Sequence, residues 1–119
     1  EAILNDTDID LLAVGIGNIH GHYSDNSKVD FEYFKLISNT FPMANLVLHG
    51  ATGLPLSKIR SLIPYGLAKV NFSTELKDIY INSLQQILHS ENRYSMTKYS
   101  SHTKSCMYAY FKEKMRDLT

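Results

Sequence analysis

Apolar and polar positions alternate along this chain in blocks that read as strand, loop and helix, three times over. Leu11 to Ile16 is an uninterrupted apolar run of strand length, the kind expected where a sheet is covered on both faces. Gly17 to Lys28 is polar and reads as a loop. Asp30 to Thr40 then carries Phe31, Phe34, Leu36 and Ile37 at near-helical spacing, and Phe41-Pro42 ends it. The second strand is Leu46 to Leu48. Pro55 suits the first turn of a helix with Ile59, Leu62 and Ile63 on one face and Gly66 near its end. Ala68 to Asn71 is the third strand. Ser73 or Thr74 is placed to cap a helix whose apolar stripe is Leu76, Ile79, Ile81, Leu84 and Leu88, and a last amphipathic helix is expected from about Lys104 to Leu118.

Strand-helix units in succession predict parallel strands, with every carboxyl end on one edge. Two histidines stand where such an edge would be: His20 follows the first apolar run and His49 the second, each with a glycine after it. The steps from His20 to His49 and from His49 to Asn71 are comparable with the roughly 30 residues per unit that an eight-unit barrel of about 250 residues allows. The pattern therefore predicts an α/β chain corresponding to three consecutive units of a (β/α)8 TIM barrel with a helical tail. His20, His49 and Asn71 would converge at its active face, with Ser73 and Thr74 offering hydrogen bonds to an anion. A metal site beside a phosphate site is the expectation.

Composition narrows the setting. Twelve basic residues balance twelve acidic ones, which gives no reason to expect nucleic acid or a membrane as partner. The single cysteine, Cys106, cannot form an internal disulfide, and a cytoplasmic setting is expected. No apolar run approaches the roughly 20 residues of a membrane span, and the acidic start at Glu1, Asp6, Asp8 and Asp10 is unlike a signal peptide. Gly15 and Gly17 hint at a dinucleotide motif, but His20 stands where its third glycine would be and no helix begins at once. His22, His89 and His102 lack paired context and are expected at the surface. Cys106, beside Met107, is expected to pack.

The motifs Gly17-Asn18-Ile19-His20-Gly21-His22-Tyr23, Val29-Asp30-Phe31-Glu32, Leu46-Val47-Leu48-His49-Gly50-Ala51-Thr52-Gly53-Leu54-Pro55 and Gly66-Leu67-Ala68-Lys69-Val70-Asn71-Phe72-Ser73-Thr74-Glu75-Leu76-Lys77 together resemble class II ketose-bisphosphate aldolases. The wording is nearest the tagatose-bisphosphate branch. The resemblance runs from about Thr7 to Leu118 and implies that His20 and His49 ligate a zinc ion that polarises a ketone during aldol cleavage. It further implies that Gly21, Gly50, Ala51 and Thr52 bind the phosphate of dihydroxyacetone phosphate, with Asn71, Phe72, Ser73 and Thr74 completing the cradle at a helix start. The implied substrate is a ketose 1,6-bisphosphate, and the implied assembly is a homo-oligomer, dimer or tetramer.

Departures from the family pattern are specific. Thr52 replaces the usual serine, Ser73 stands where aspartate or alanine is usual, and Ser95-Met96-Thr97-Lys98 carries Thr97 in place of an arginine, with Arg93 nearby but out of register. A third zinc histidine, its paired aspartate and a loop glutamate find no counterpart, so no catalytic acid or base is assigned. Residues 1–119 are accordingly expected to be the carboxy-terminal part of a single aldolase barrel domain: inactive alone, with Leu11, Val14, Val47 and Val70 partly uncovered. The alternative is a noncatalytic sugar-phosphate-binding or assembly subunit derived from such an enzyme.

Overall fold

The computed structural model describes residues 8–23, 28–89 and 95–118; Thr7, Arg93, and the acidic residues Glu1 and Asp6 lie outside them. The chain forms two compact units, residues 1–72 and 73–119.

The first unit is a three-stranded parallel sheet with helices in the connections. β1 (Leu12–Ala13), β2 (Leu46–Leu48) and β3 (Leu67–Val70) lie in the order β1-β2-β3. Leu12 pairs with Leu46 and Ala13 with Val47, while a register irregularity between Leu46 and Val47 aligns Val47 with Lys69 and Leu48 with Val70. β2, the central strand, is buried along its whole length, as its apolar sequence demands.

α1 (Phe31–Thr40) starts where Asp30 accepts a 2.8 Å hydrogen bond from the Tyr33 amide, satisfying one of the free N–H groups of the first turn. Asp30 also donates its own N–H to the Ile16 carbonyl at 2.8 Å, tying the helix start to the chain leaving β1. The helix buries Phe34 completely, in a core it shares with Ile16, Leu46, Val47, Leu48, Ile59, Leu62 and Leu67.

Three expectations for this unit are corrected. The first strand is two residues long rather than the run Leu11–Ile16, because the chain turns at Ile16, whose amide donates 2.9 Å to the Asn18 side chain. The segment after Pro55 is not one helix: α2 (Leu56–Arg60) gives way to a 3₁₀ turn at Ile63–Tyr65, since Pro64 has no N–H to continue the α-helical ladder. Val47 is buried, at 4% exposure, whereas Leu11 is 45% exposed and Val14 and Val70 are half-buried.

The second unit is an α-helical pair, α3 (Thr74–Leu88) and α4 (Met96–Leu118), packed against each other. Ser83, Thr103 and Tyr110 are buried in it. Of the expected stripe, Ile81 and Leu88 are exposed, because the packed face runs through Leu76, Ile79 and Ser83. α4 begins at Met96, two turns before the expected Lys104. Hydroxyls in this polar stretch bond back to the preceding turn: Thr103 Oγ1 donates to the Tyr99 carbonyl at 2.9 Å and Ser105 Oγ to the Ser101 carbonyl at 2.9 Å. Lys114 bridges to Glu75 at 3.1 Å and lies 5.5 Å from the Tyr110 ring centroid. Burial, then the Glu75 carboxylate, holds the Tyr110 phenol far above its ordinary value.

Candidate metal and phosphate site

The site forms where the strands of the first unit end. Parallel pairing puts Leu48 beside Val70, so the next residues, His49 and Asn71, are neighbours by construction. The pairing continues past the strands: Asn71 donates its N–H to the Leu48 carbonyl at 2.9 Å, and Ala51 donates to the Asn71 carbonyl at 3.4 Å. His20 does not close β1 as expected. It sits well beyond Ala13, on a loop folded back over the end of β2. The two imidazoles meet nonetheless, with ring centroids 5.9 Å apart and planes at 61°.

Two imidazoles on one tetrahedral ion, at the usual zinc–nitrogen length of about 2.0–2.1 Å, have centroids about 5 Å apart. The observed spacing is a small side-chain movement from that, and imidazole is a fitting donor for zinc. His20 is exposed and His49 half-buried, so an ion can reach both. Among the described residues no group of three His, Cys, Asp or Glu side chains comes together. The pair therefore fits two of the three protein ligands that catalytic zinc ordinarily has.

Asn71 sits closer to His49 than an anion-binding role alone would suggest. Its Nδ2 lies 3.2 Å from His49 Nδ1 and 3.3 Å from Nε2, nearly equidistant from both, so the amide lies over the face of the ring.

The expected phosphate residues divide. Gly21 (φ 110°) has open space around it, whereas Gly50 (φ 60°) is pressed against the Ile19 carbonyl. Ala51 and Thr52 are buried, and Ala51 commits its N–H to Asn71, which leaves it to shape a cradle rather than donate to one. Phe72 is half-buried at the end of the first unit. Ser73 and Thr74 belong to the second unit, where they open α3; the Ser73 side chain makes no capping bond, and its carbonyl accepts from the Lys77 amide at 3.1 Å. His22 and His89 are exposed as expected; His102 is half-buried instead, its Nε2 3.9 Å from Cys106 Sγ one helical turn on.

Two residues with no assigned role bond across to the peptides that follow His49. Asn18 donates from Nδ2 to the His49 carbonyl at 2.9 Å, and the Tyr23 hydroxyl donates to the Gly50 carbonyl at 2.7 Å. Their signal in the sequence was only that an amide and a phenol flank His20 in a polar loop. A groove lined by Leu11, Phe41 and Met43 lies at the amino ends of β1 and β2, the far end of the sheet from the histidines.

A parallel sheet with helical connections, and two histidines gathered beyond its carboxyl edge, is the arrangement of part of a (β/α)8 barrel. The family model described as "Fructose-bisphosphate aldolase class-II" matches residues 1–119, and the chain belongs to that family. It is 31% identical over 118 residues to a fructose-bisphosphate aldolase of Staphylococcus epidermidis, covering 98% of this chain and 41% of that protein. To a fructose-bisphosphate aldolase of Streptococcus pneumoniae it is 39% identical over 82 residues, covering 68% of this chain and 28% of that one. The crystal structure of the YdjI aldolase of Escherichia coli K12 superposes with a TM-score of 0.77 at 25% identity, over 97% of this chain and 41% of that chain. The chain thus spans about two fifths of the length of the relatives it matches over nearly all of its own residues.

Proposed function

We propose that the protein carrying this chain is a zinc-dependent aldolase that reversibly cleaves a ketose 1,6-bisphosphate into dihydroxyacetone phosphate and glyceraldehyde 3-phosphate. The observation that carries the reading is the meeting of His20 and His49, 5.9 Å apart, at the carboxyl edge of a parallel sheet. Zinc held there would polarise the ketone of the substrate. Gly21, Gly50, Ala51, Thr52, Asn71 and Phe72 are the proposed phosphate-binding group of the first unit; Ser73 and Thr74, opening a 15-residue helix in the second, are proposed to bind phosphate through backbone amides favoured by the helix dipole.

In this reading residues 1–119 are the carboxy-terminal part of a single barrel domain, and a third zinc histidine, an aspartate for proton transfer and a loop glutamate come from elsewhere in it. The complete enzyme is a cytoplasmic homo-oligomer. No helix among the described residues is long and apolar enough to cross a membrane. The names of the relatives favour a fructose substrate, while the Leu48-His49-Gly50-Ala51-Thr52-Gly53-Leu54 wording favours tagatose; turnover of the two bisphosphates side by side distinguishes them.

The test is His49→Ala in the full-length protein. Zinc content by elemental analysis and aldol cleavage should fall together, as they do when a metal ligand is lost. Stoichiometric zinc in the variant would reject His49 as a ligand, and cleavage-inactive wild type with intact phosphate binding would favour the noncatalytic subunit instead.

A further inference from the structure

We infer that Asn18 and Tyr23 are positioning residues that clip the His20 loop onto the His49 peptide and so hold the two imidazoles at metal-sharing distance. The inference rests on the reading of His20 and His49 as ligands. Each clip side chain works in both directions. Asn18 accepts from the Ile16 amide at 2.9 Å through Oδ1 and donates to the His49 carbonyl at 2.9 Å through Nδ2. The Tyr23 hydroxyl accepts from the Ile19 amide at 3.3 Å and donates to the Gly50 carbonyl at 2.7 Å. His20 thus follows directly on a residue held by Tyr23. The carbonyls of His49 and Gly50, which fix the two peptide planes after the second histidine, are both held from the other loop.

The placement argues for positioning rather than bulk stability. The unit's core is Phe34, Leu46, Leu48, Ile59 and Leu62, all essentially inaccessible, whereas Asn18 and Tyr23 are half-buried at the edge and His20 is exposed. The clips join the exposed His20 loop to the chain after β2 at a point past β1, which has already ended at Ala13. A pair of ligands free to separate binds metal weakly, since the ordering must then occur on binding. Groups that orient ligands typically contribute a factor of about 10 to 100 in metal affinity.

The experiment uses the metal-free full-length protein and Co²⁺ as a spectroscopic probe, with affinity set by chelator competition. Tyr23→Phe, which removes only the hydroxyl, and Asn18→Ala should each weaken Co²⁺ binding about tenfold and alter the visible Co²⁺ band. The melting midpoint of the metal-free protein should stay at the wild-type value in Tyr23→Phe, which separates positioning from stability. Unchanged Co²⁺ affinity in both variants overturns the proposal while leaving the metal reading standing. So does a loss of affinity matched by an equal loss of metal-free stability in Tyr23→Phe. Wild type without a Co²⁺ band, or His49→Ala with a band equal to wild type, rejects the metal reading and this proposal with it.

Discussion

Gly50→Ala should be among the most damaging single-methyl additions this chain can receive. A Cβ at position 50 would overlap the Ile19 carbonyl oxygen outright and stand 2.9 Å from its carbon. Both are backbone atoms and cannot rotate aside. Ordinary contact begins at 3.4 Å, so the two loops would have to part to admit the methyl. The residue also sits at φ 60°, where an L side chain costs about 1–2 kcal/mol. Relieving the overlap adds about 1–3 kcal/mol, the usual range for inserting a methyl into filled space. Parting the loops also stretches the 2.7 Å bond from Tyr23 to the Gly50 carbonyl. The expected destabilisation is about 2–5 kcal/mol. Two controls isolate its parts. Gly21→Ala has open space but φ 110°, so it should lose only a backbone cost of about 1–3 kcal/mol. Gly15→Ala has neither a clash nor a positive φ and should be neutral or stabilising by about 0.4–1 kcal/mol. Urea unfolding of the three variants beside wild type checks the order; Gly50→Ala no less stable than Gly15→Ala would refute the contact between the two loops.

Phe34→Ala, at a fully buried position, should destabilise the protein by about 3–5 kcal/mol in urea unfolding without changing which metal binds. Asn71→Ala should lower affinity for zinc as well as for a phosphorylated substrate analogue, because the side chain lies against the His49 ring; zinc affinity equal to wild type by calorimetry would reject that part. Tyr110 makes alkaline pH a probe of the helical pair. Its folded value is raised, so the contribution is fully present below the unfolded phenol value of about 10 and is lost as pH rises toward the folded one. Stability should therefore fall more steeply above about pH 10 in wild type than in Tyr110→Phe, measured by urea midpoints on either side of that pH; parallel curves would contradict the burial of the phenol.

Elements whose signals are local were legible in the sequence. α1 announced itself by the spacing of Phe31, Phe34, Leu36 and Ile37, and by Phe41-Pro42 at its end. β2 did so by three consecutive branched apolar residues. The first strand is shorter than its apolar run because strand length depends on pairing, which no single run reveals: the sequence from Leu11 to Ile16 has no polar side chain, yet the chain turns away where Asn18 binds the Ile16 amide. α4 is longer than its apolar pattern for the opposite reason. Thr97, Ser100, Ser101 and Thr103 lack an apolar period, and hydroxyl bonds to the preceding turn can accompany a helix or compete with it. His49 was legible because parallel topology sends every strand end to one side, whereas His20 meets it from a loop well beyond β1. The clip residues were not legible, since Asn18 and Tyr23 gain their meaning only from carbonyls remote in the chain, at sequence separations of 31 and 27.

The same topology separates what this chain holds locally from what a barrel must add. A closed barrel leaves no strand with a single neighbour. Here, among the described residues, β1 and β3 each pair only with β2, and Leu11, just before β1, is 45% exposed while every residue of β2 is buried. The free hydrogen-bonding edges are thus at the outer strands, where a closed barrel would place further strands. The histidine pair lies elsewhere, between the loops after β1 and β2, two strands that already pair with each other. Its geometry can therefore form without further strands, through Asn18, Tyr23 and the close approach at Gly50. Catalytic zinc ordinarily needs a third protein ligand, and proton transfer needs a positioned acid or base. Weak metal capture is accordingly expected of these residues by themselves, and turnover only of a barrel whose remaining strands supply the other groups.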